Sequence, residues 1–174
     1  MTRESLKSAA FLQVNPSGSV PAVVDGKFTL TQNAAILGYI ADSYPAAKLG
    51  GDGSPQQRAE ATRWLAFTNS DLHPAFVPLF NPGAFQSDQD QHGAIKDAAR
   101  KRVRGLFERA DRQLDGKQWL AGFRSFADPY FYITLRWAEA MAIDLRDLVH
   151  VAAFKQRMDN DAGVQAALAA EGLA

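Results

Sequence analysis

"NPSGSVPAVVDGKFTLTQNAAIL", residues 15–37, is the stretch that decides the fold of this chain. It contains a short β-branched run at residues 20–24, a two-residue hairpin signal at Asp25-Gly26, and a returning run at residues 27–30. A helix is predicted over residues 32–44, because apolar residues recur there at helical spacing on one face. The stretch therefore predicts a β-hairpin that leads directly into a helix.

The rest of the chain has the pattern of an all-helical domain. A linker rich in glycine and proline at residues 45–55 precedes it. A serine N-cap at Ser54 predicts the start of a long helix that runs towards Phe80. Pro74 and Pro78 each remove a backbone donor, so this helix should bend or break near its end. Further helices are predicted to end at Gly116 and to begin at Ser125, and two shorter helices finish the chain.

Composition excludes several classes of function. The chain has 19 basic and 19 acidic residues, so it should have no general attraction for nucleic acid or for an anionic membrane. It contains no cysteine, which removes disulfides and thiolate metal sites, and we expect no metal. No apolar run approaches the roughly 20 residues that a bilayer requires, and the first residues lack the apolar core of a signal peptide. We therefore expect a soluble, cytoplasmic protein.

The hairpin and the helix after it together have the features of a peptide-binding site. Val20 precedes a proline at the start of a strand, so its own N–H and C=O groups are free to pair with an extended peptide. The predicted helix starts at Gln32 and Asn33, and a helix N-terminus attracts a carboxylate. These features indicate a short peptide ligand with a free α-carboxylate. An ordinary hairpin followed by a capped helix explains the same residues.

The stretch "NPSGSVPAVVDGKFTLTQNAAILGYIADSYP" resembles the glutathione-binding segment of glutathione S-transferases. The segments "RWLAFTNSDLHPAFVPLF" and "SFADPYFYITLRWAEA" resemble the all-helical domain of the bacterial beta-type branch. The resemblance implies an α+β, mostly α fold, with a partial thioredoxin-like piece (a β-hairpin plus a helix) at residues 1–46 and an all-helical domain at residues 47–174. It also implies conjugation of glutathione, as co-substrate, to small hydrophobic electrophiles in detoxification, by a homodimer.

The resemblance assigns roles to individual residues of the glutathione-binding segment. Val20 resembles the residue whose backbone pairs with the cysteinyl unit of glutathione, and Pro21 resembles the cis-proline of the family. Gln32 and Asn33 occupy the positions that hold the γ-glutamyl end, although serine or glycine is usual in place of Asn33. Arg3 falls where some relatives have a lysine near the glycyl carboxylate.

His73 is the candidate catalytic residue. It is predicted to lie on a narrow face of the first long helix, among small side chains that suit the floor of a cleft. The beta-type branch has a histidine in this "LHxxFxPLF" setting close to the bound sulfur, where it could donate a hydrogen bond that favours thiolate over thiol. A partly buried histidine with a backbone partner is the alternative interpretation.

The family has a βαβ unit of about 30 residues before this Asn-Pro-x-Gly motif. That unit carries the catalytic tyrosine, serine or cysteine, and this sequence begins at or just after its end. We therefore expect conjugation at or barely above the uncatalysed rate from a truncated family member. Two alternatives stay open: a non-catalytic module for glutathione binding or protein interaction, and a partner chain that supplies the missing sheet.

Overall fold

The computed structural model describes Thr2 and residues 4–173, and its N-terminal part is built around one hairpin. It contains helix α1 (Ala9–Val14), strands β1 (Ala22–Asp25) and β2 (Phe28–Thr31), and helix α2 (Asn33–Ser43). The two strands form an antiparallel sheet. The predicted hairpin and the helix after it are confirmed, whereas the short helix α1 was not predicted.

The hairpin turn differs from the prediction by one residue. Asp25 pairs with Phe28, so the two-residue loop is Gly26-Lys27 and the prediction of Asp25-Gly26 was wrong. This register pairs the half-buried side chains of Val23 and Leu30. Gly26 then occupies the first loop position with φ at 58°, a left-handed conformation that glycine adopts without steric cost.

The remainder of the chain is a helical bundle, as predicted. Its helices are α3 (Pro55–Ala66), α4 (His73–Phe80), α5 (His92–Leu114), α6 (Ala127–Ala140), α7 (Val149–Asp159) and α8 (Ala162–Ala170). The largest fully buried side chains include four phenylalanines: Phe76, Phe107, Phe131 and Phe154. Within residues 55–173 the structure has no strand. Among the described residues, no helix is long and apolar enough to cross a bilayer.

The predicted break in the first long helix occurs earlier than the prolines alone indicated. A π-helical segment, Phe67–Leu72, separates α3 from α4. The N–H of His73 donates to the carbonyl of Thr68, five residues back, instead of four. Pro74 explains the displacement, since its ring would clash with the carbonyl four residues before it in a regular helix. The widened turn lies upstream and ends at His73.

The start of α6 is organised by a buried carboxylate. Asp128 is 1% exposed, and it accepts hydrogen bonds from the backbone N–H groups of Ser125 at 2.6 Å and Leu120 at 3.3 Å. The Ser125 hydroxyl accepts in turn from the N–H of Ala127 at 3.2 Å. The sequence predicted that the helix begins at Ser125, whereas α6 begins at Ala127 with Phe126 as its N-cap, so these contacts lie just before the helix. Burial raises the pKa of Asp128 to about 6, against the opposing effect of these hydrogen bonds.

An arginine connects the hairpin–helix piece to the bundle. The Arg58 guanidinium donates to both carboxylate oxygens of Asp42 in α2, at 2.7 and 3.2 Å, and lies 5.0 Å over the ring of Phe126. A Cβ atom on Gly50 would lie 2.7 Å from Nη1 of Arg58. Because Ala41 of α2 also belongs to the buried core of the bundle, the two parts share one core.

Candidate functional site

The loop that leads into β1 is held by a buried asparagine. Asn15 is 5% exposed, and its side-chain amide donates to the carbonyl of Ser19 at 2.6 Å. Its side-chain carbonyl accepts from the N–H and the hydroxyl of Ser17, at 3.1 and 2.8 Å. Gly18 has φ at 61°, which closes the turn between these contacts. The loop therefore delivers Val20 in a defined position.

The sequence-predicted residues at the two ends of the hairpin lie together. The Val20–Pro21 peptide bond is cis, and Val20 is 56% exposed. Val20, Pro21 and Gln32 line one shallow pocket, although they are far apart along the hairpin. The other residues of the pocket are Asn15, Ser17, Ser19 and Thr31.

Gln32, at the start of α2, has an unusual backbone conformation. It is the N-cap of the helix with φ at 73° and ψ at 113°, a region that residues other than glycine rarely occupy. Such a conformation costs about 1–3 kcal/mol and concentrates at functional sites. Among the described residues, the Gln32 side chain finds no partner as a helix cap. It is exposed, and Asn33 beside it is half-buried.

His73 lies at the first residue of α4 and faces α6. Its Nδ1 is 2.5 Å from the hydroxyl of Tyr130, and its ring meets the Trp137 ring edge-on at a centroid distance of 4.7 Å. Burial lowers the pKa of His73, so the imidazole is neutral at pH 7. The alternative of a backbone partner for His73 is not observed within the described residues, where its partner is a phenol.

Tyr130 connects His73 to the π-helical segment. It is 7% exposed, and its hydroxyl is 3.5 Å from the side-chain oxygen of Asn69, in the π-helical segment. Burial raises the pKa of Tyr130, and hydrogen bonding by the Asn33 side chain opposes that rise. The hydrogen-bonding partners of the Tyr130 hydroxyl are therefore His73 and Asn69, on either side of the start of α4.

Sequence reasoning did not find Tyr130 or Asn15 as contributors to the site. The signal for Asn15 was the Asn-Pro-x-Gly motif, whose asparagine closes the loop. Tyr130 had no comparable signal, because it lies 57 residues from His73 in a helix that reads as buried core. Arg3, the predicted contact to the glycyl carboxylate, lies outside the described residues.

Two family models match separate parts of the chain. Residues 1–42 match the family model described as "Glutathione S-transferase, N-terminal domain", and residues 67–161 match "Glutathione S-transferase, C-terminal domain". "Glutathione S-transferase GST-4.5" of Xanthomonas campestris is 49% identical over 170 residues, which cover 97% of this chain and 83% of that protein.

Solved structures agree with the sequence comparisons. A glutathione S-transferase from Xylella fastidiosa has a TM-score of 0.96 at 49% identity, and the match covers 100% of this chain and 85% of that one. A sphingomonad glutathione S-transferase complexed with glutathione has a TM-score of 0.85 at 38% identity, covering 100% of this chain and 86% of that one.

Proposed function

Because this chain belongs to the glutathione S-transferase family, we propose that it binds glutathione and conjugates it to small hydrophobic electrophiles. In this proposal residues 1–46 hold the tripeptide, and residues 47–174 supply the surface for the electrophile. The thiolate sulfur forms a bond to an electrophilic carbon. With a chlorinated nitrobenzene, the carbon–chlorine bond breaks, chloride leaves with the electron pair, and the thiol proton passes to water.

The observation that carries the proposal is the meeting of Val20 and Gln32 in one pocket at the start of α2. The exposed backbone of Val20 can pair with the cysteinyl unit of an extended peptide. Gln32 and Asn33 stand at the helix N-terminus, where free N–H groups attract the carboxylate of a γ-glutamyl end. The strained backbone of Gln32 supports a binding role, since strain of this kind persists where a site needs a fixed geometry.

His73 is the residue of this site that we assign to the thiol. A free thiol has a pKa of about 8.5, so most of it is protonated at pH 7. A neutral imidazole that donates a hydrogen bond to the sulfur favours the thiolate form. The burial that lowers the pKa of His73 supports this role, because it keeps the imidazole neutral.

The electrophile has an apolar surface beside His73. The Trp137 ring packs against both His73 and Phe80, with ring centroids at 4.7 and 5.5 Å. Phe80 is 46% exposed and Val77 is 37% exposed, on the same helix as His73. Exposed aromatic and aliphatic side chains next to a polar group suit a small hydrophobic molecule.

Isothermal titration calorimetry with glutathione tests the proposal. A hydrogen bond to a charged group contributes about 1.5–3 kcal/mol, so Gln32→Ala should weaken binding roughly 10-fold to 100-fold. Gln91→Ala is the matched control, since Gln91 is exposed and precedes α5, away from the pocket. Equal affinities of the Gln32→Ala variant and the unaltered chain would remove the proposed site. Binding without conjugation would support the non-catalytic module instead.

A homodimer is the proposed assembly. Several large apolar side chains of the hairpin–helix piece are exposed, with Tyr44 at 67%, Val24 at 56% and Phe28 at 48%. Apolar patches and open sheet edges of this kind are commonly covered by association. A two-fold dimer is the commonest closed assembly. The cytoplasmic location expected from the sequence stays a prediction.

A further inference from the structure

The contact between Tyr130 and His73 joins two helices at the proposed reaction centre. The Tyr130 hydroxyl lies 2.5 Å from Nδ1 of His73 and 3.5 Å from the side-chain oxygen of Asn69. A hydroxyl has one proton to donate, and hydrogen bonds weaken towards 3.5 Å. The shorter contact is the better line for the Tyr130 proton; the competing arrangement has Nδ1–H donating to the phenol and the phenol donating to Asn69.

We propose that Tyr130 is a positioning residue, which holds His73 in the tautomer with its proton on Nε2. The inference deepens the proposed function and rests on it for its catalytic meaning. When the phenol donates to Nδ1, the remaining proton of the neutral ring must be on Nε2. Within the described residues Nε2 has no hydrogen-bond partner, so its N–H is available to a ligand.

The environment of the pair favours this arrangement of protons. Burial raises the pKa of Tyr130, so the phenol keeps the proton that it donates. Burial lowers the pKa of His73, so the ring is neutral and one of its two nitrogens keeps a lone pair that can accept the proton. A phenolate beside an imidazolium would place two charges in this half-buried site. The neutral alternative, in which Nδ1–H donates to the phenol, leaves the phenol proton only the 3.5 Å contact to Asn69.

The rings of Trp137 and Tyr130 restrict the orientation of the His73 ring. The ring meets Trp137 edge-on at a centroid distance of 4.7 Å, and its plane is inclined by 79° to that of Tyr130. The π-helical segment Phe67–Leu72 immediately precedes His73, and an irregular turn of this kind often marks a functional position in a helix. With both the ring and the tautomer restricted, Nε2 is a hydrogen-bond donor and cannot act as a base.

The consequence for mechanism is specific. His73 in this tautomer donates a hydrogen bond to a sulfur that is already a thiolate, and it does not remove the thiol proton. The thiol proton therefore goes to solvent, and His73 lowers the pKa of the bound thiol through its N–H group. Without the Tyr130 hydroxyl, part of the molecules would carry the ring proton on Nδ1, and Nε2 would then be a hydrogen-bond acceptor.

Nitrogen-15 NMR of the histidine rings in the ligand-free chain tests the tautomer without reference to activity. We expect His73 of the unaltered chain to show an unprotonated Nδ1 and a protonated Nε2. Tyr130→Phe should shift the tautomer ratio roughly fivefold towards Nδ1–H and raise the pKa of His73 by roughly half to one unit. The matched control is Tyr132→Phe, on the same helix, whose hydroxyl donates to Asp159 at 2.7 Å.

The control should leave the His73 signals unchanged. Either a proton on Nδ1 in the unaltered chain or an identical response to Tyr130→Phe and Tyr132→Phe overturns the inference. These results do not depend on glutathione. Failure of the proposed function would appear separately, as absence of glutathione binding in a chain whose His73 tautomer is as expected.

A double-mutant cycle tests whether Tyr130 acts through His73. We expect Tyr130→Phe to lower kcat/KM for conjugation roughly fivefold in the unaltered chain. The same substitution should have no effect in a His73→Ala background. An undiminished loss in that background would show that Tyr130 acts independently of the histidine and would overturn the positioning role.

Discussion

Asp128 provides a quantitative test of how a buried carboxylate organises the bundle. Replacement by alanine leaves the backbone donors of Ser125 and Leu120 buried without their acceptor. Each unsatisfied donor costs about 1–3 kcal/mol, so the two together cost roughly 4 kcal/mol. Removal of the carboxylate also relieves the burial of its charge. Burial raises the pKa of Asp128 from 3.8 to about 6. At 1.36 kcal/mol per pKa unit, the buried charge therefore destabilises the folded chain by about 3 kcal/mol at neutral pH, and the alanine variant does not have this cost.

The balance of these two effects changes with pH. Between pH 4 and pH 6 the folded chain binds more protons at Asp128 than the unfolded chain does, so the contribution of this residue to stability falls as pH rises. Near pH 4 the carboxyl is neutral in the folded state, and the full loss of roughly 4 kcal/mol should appear. At pH 7 the loss of the buried charge offsets most of the cost of the two unsatisfied donors, so Asp128→Ala should lower the free energy of unfolding by about 1–2 kcal/mol.

Guanidinium denaturation of both proteins at pH 4 and pH 7 measures the difference directly. Other titrating groups are common to the two proteins and cancel in the comparison. Asp161→Ala is the matched control, because Asp161 caps the outer helix α8 by accepting from Gly163 and Val164 at 3.0 and 3.1 Å. It should cost about 1 kcal/mol. A smaller effect of Asp128→Ala at pH 4 than at pH 7 would refute the reasoning.

Other positions carry further expectations. Gly51→Ala should destabilise the chain by about 1–3 kcal/mol, since φ is 103° and the new Cβ would lie 2.5 Å from Cβ of Gln57; thermal unfolding measures this. Gly53→Ala, with φ at 95° and no atom within 4 Å, should cost only the backbone strain of about 1 kcal/mol. His73→Ala should lower any conjugation of a chlorinated nitrobenzene, by about 100-fold to 10,000-fold at most, and robust turnover that is undiminished by the change would assign the thiol to another residue. Light scattering at micromolar concentration should report a dimer, and a clean monomer would contradict that assembly.

The fold was largely predictable because its signals are local. The spacing of apolar residues predicts the hairpin, the helix after it and the bundle, and the positions of glycine and proline predict where these elements end. The register of the hairpin was not predictable to the residue. Asp25-Gly26 and Gly26-Lys27 both suit a two-residue loop, and the choice depends on which side chains pair across the strands, here Val23 with Leu30.

The helix break illustrates a second limit. Pro74 predicts that a regular helix must fail, since its nitrogen carries no hydrogen. The proline alone does not predict the π-helical segment at Phe67–Leu72, because the form of the irregularity depends on how the flanking helices pack.

In the site, too, residues within one motif were predictable and contacts between distant residues were not. Val20, Gln32 and Asn33 were accessible from a single contiguous motif. Tyr130 was not, since only the folded bundle brings its hydroxyl to His73. The residues of α6 are apolar on most faces, which indicates a buried helix, but the sequence does not say which partner the Tyr130 hydroxyl contacts.

The guanidinium of Arg58 has a consequence for how this chain can change during evolution. It fills the space beside two glycines, with Nη1 2.7 Å from a Cβ on Gly50 and Nη2 3.5 Å from one on Gly38. A side chain at Gly50 would push the guanidinium off both Asp42 and Phe126. We therefore expect a side chain at Gly50 to be tolerated more readily once Arg58 has been replaced. The volume of one guanidinium group thus links the substitutions that these two positions accept.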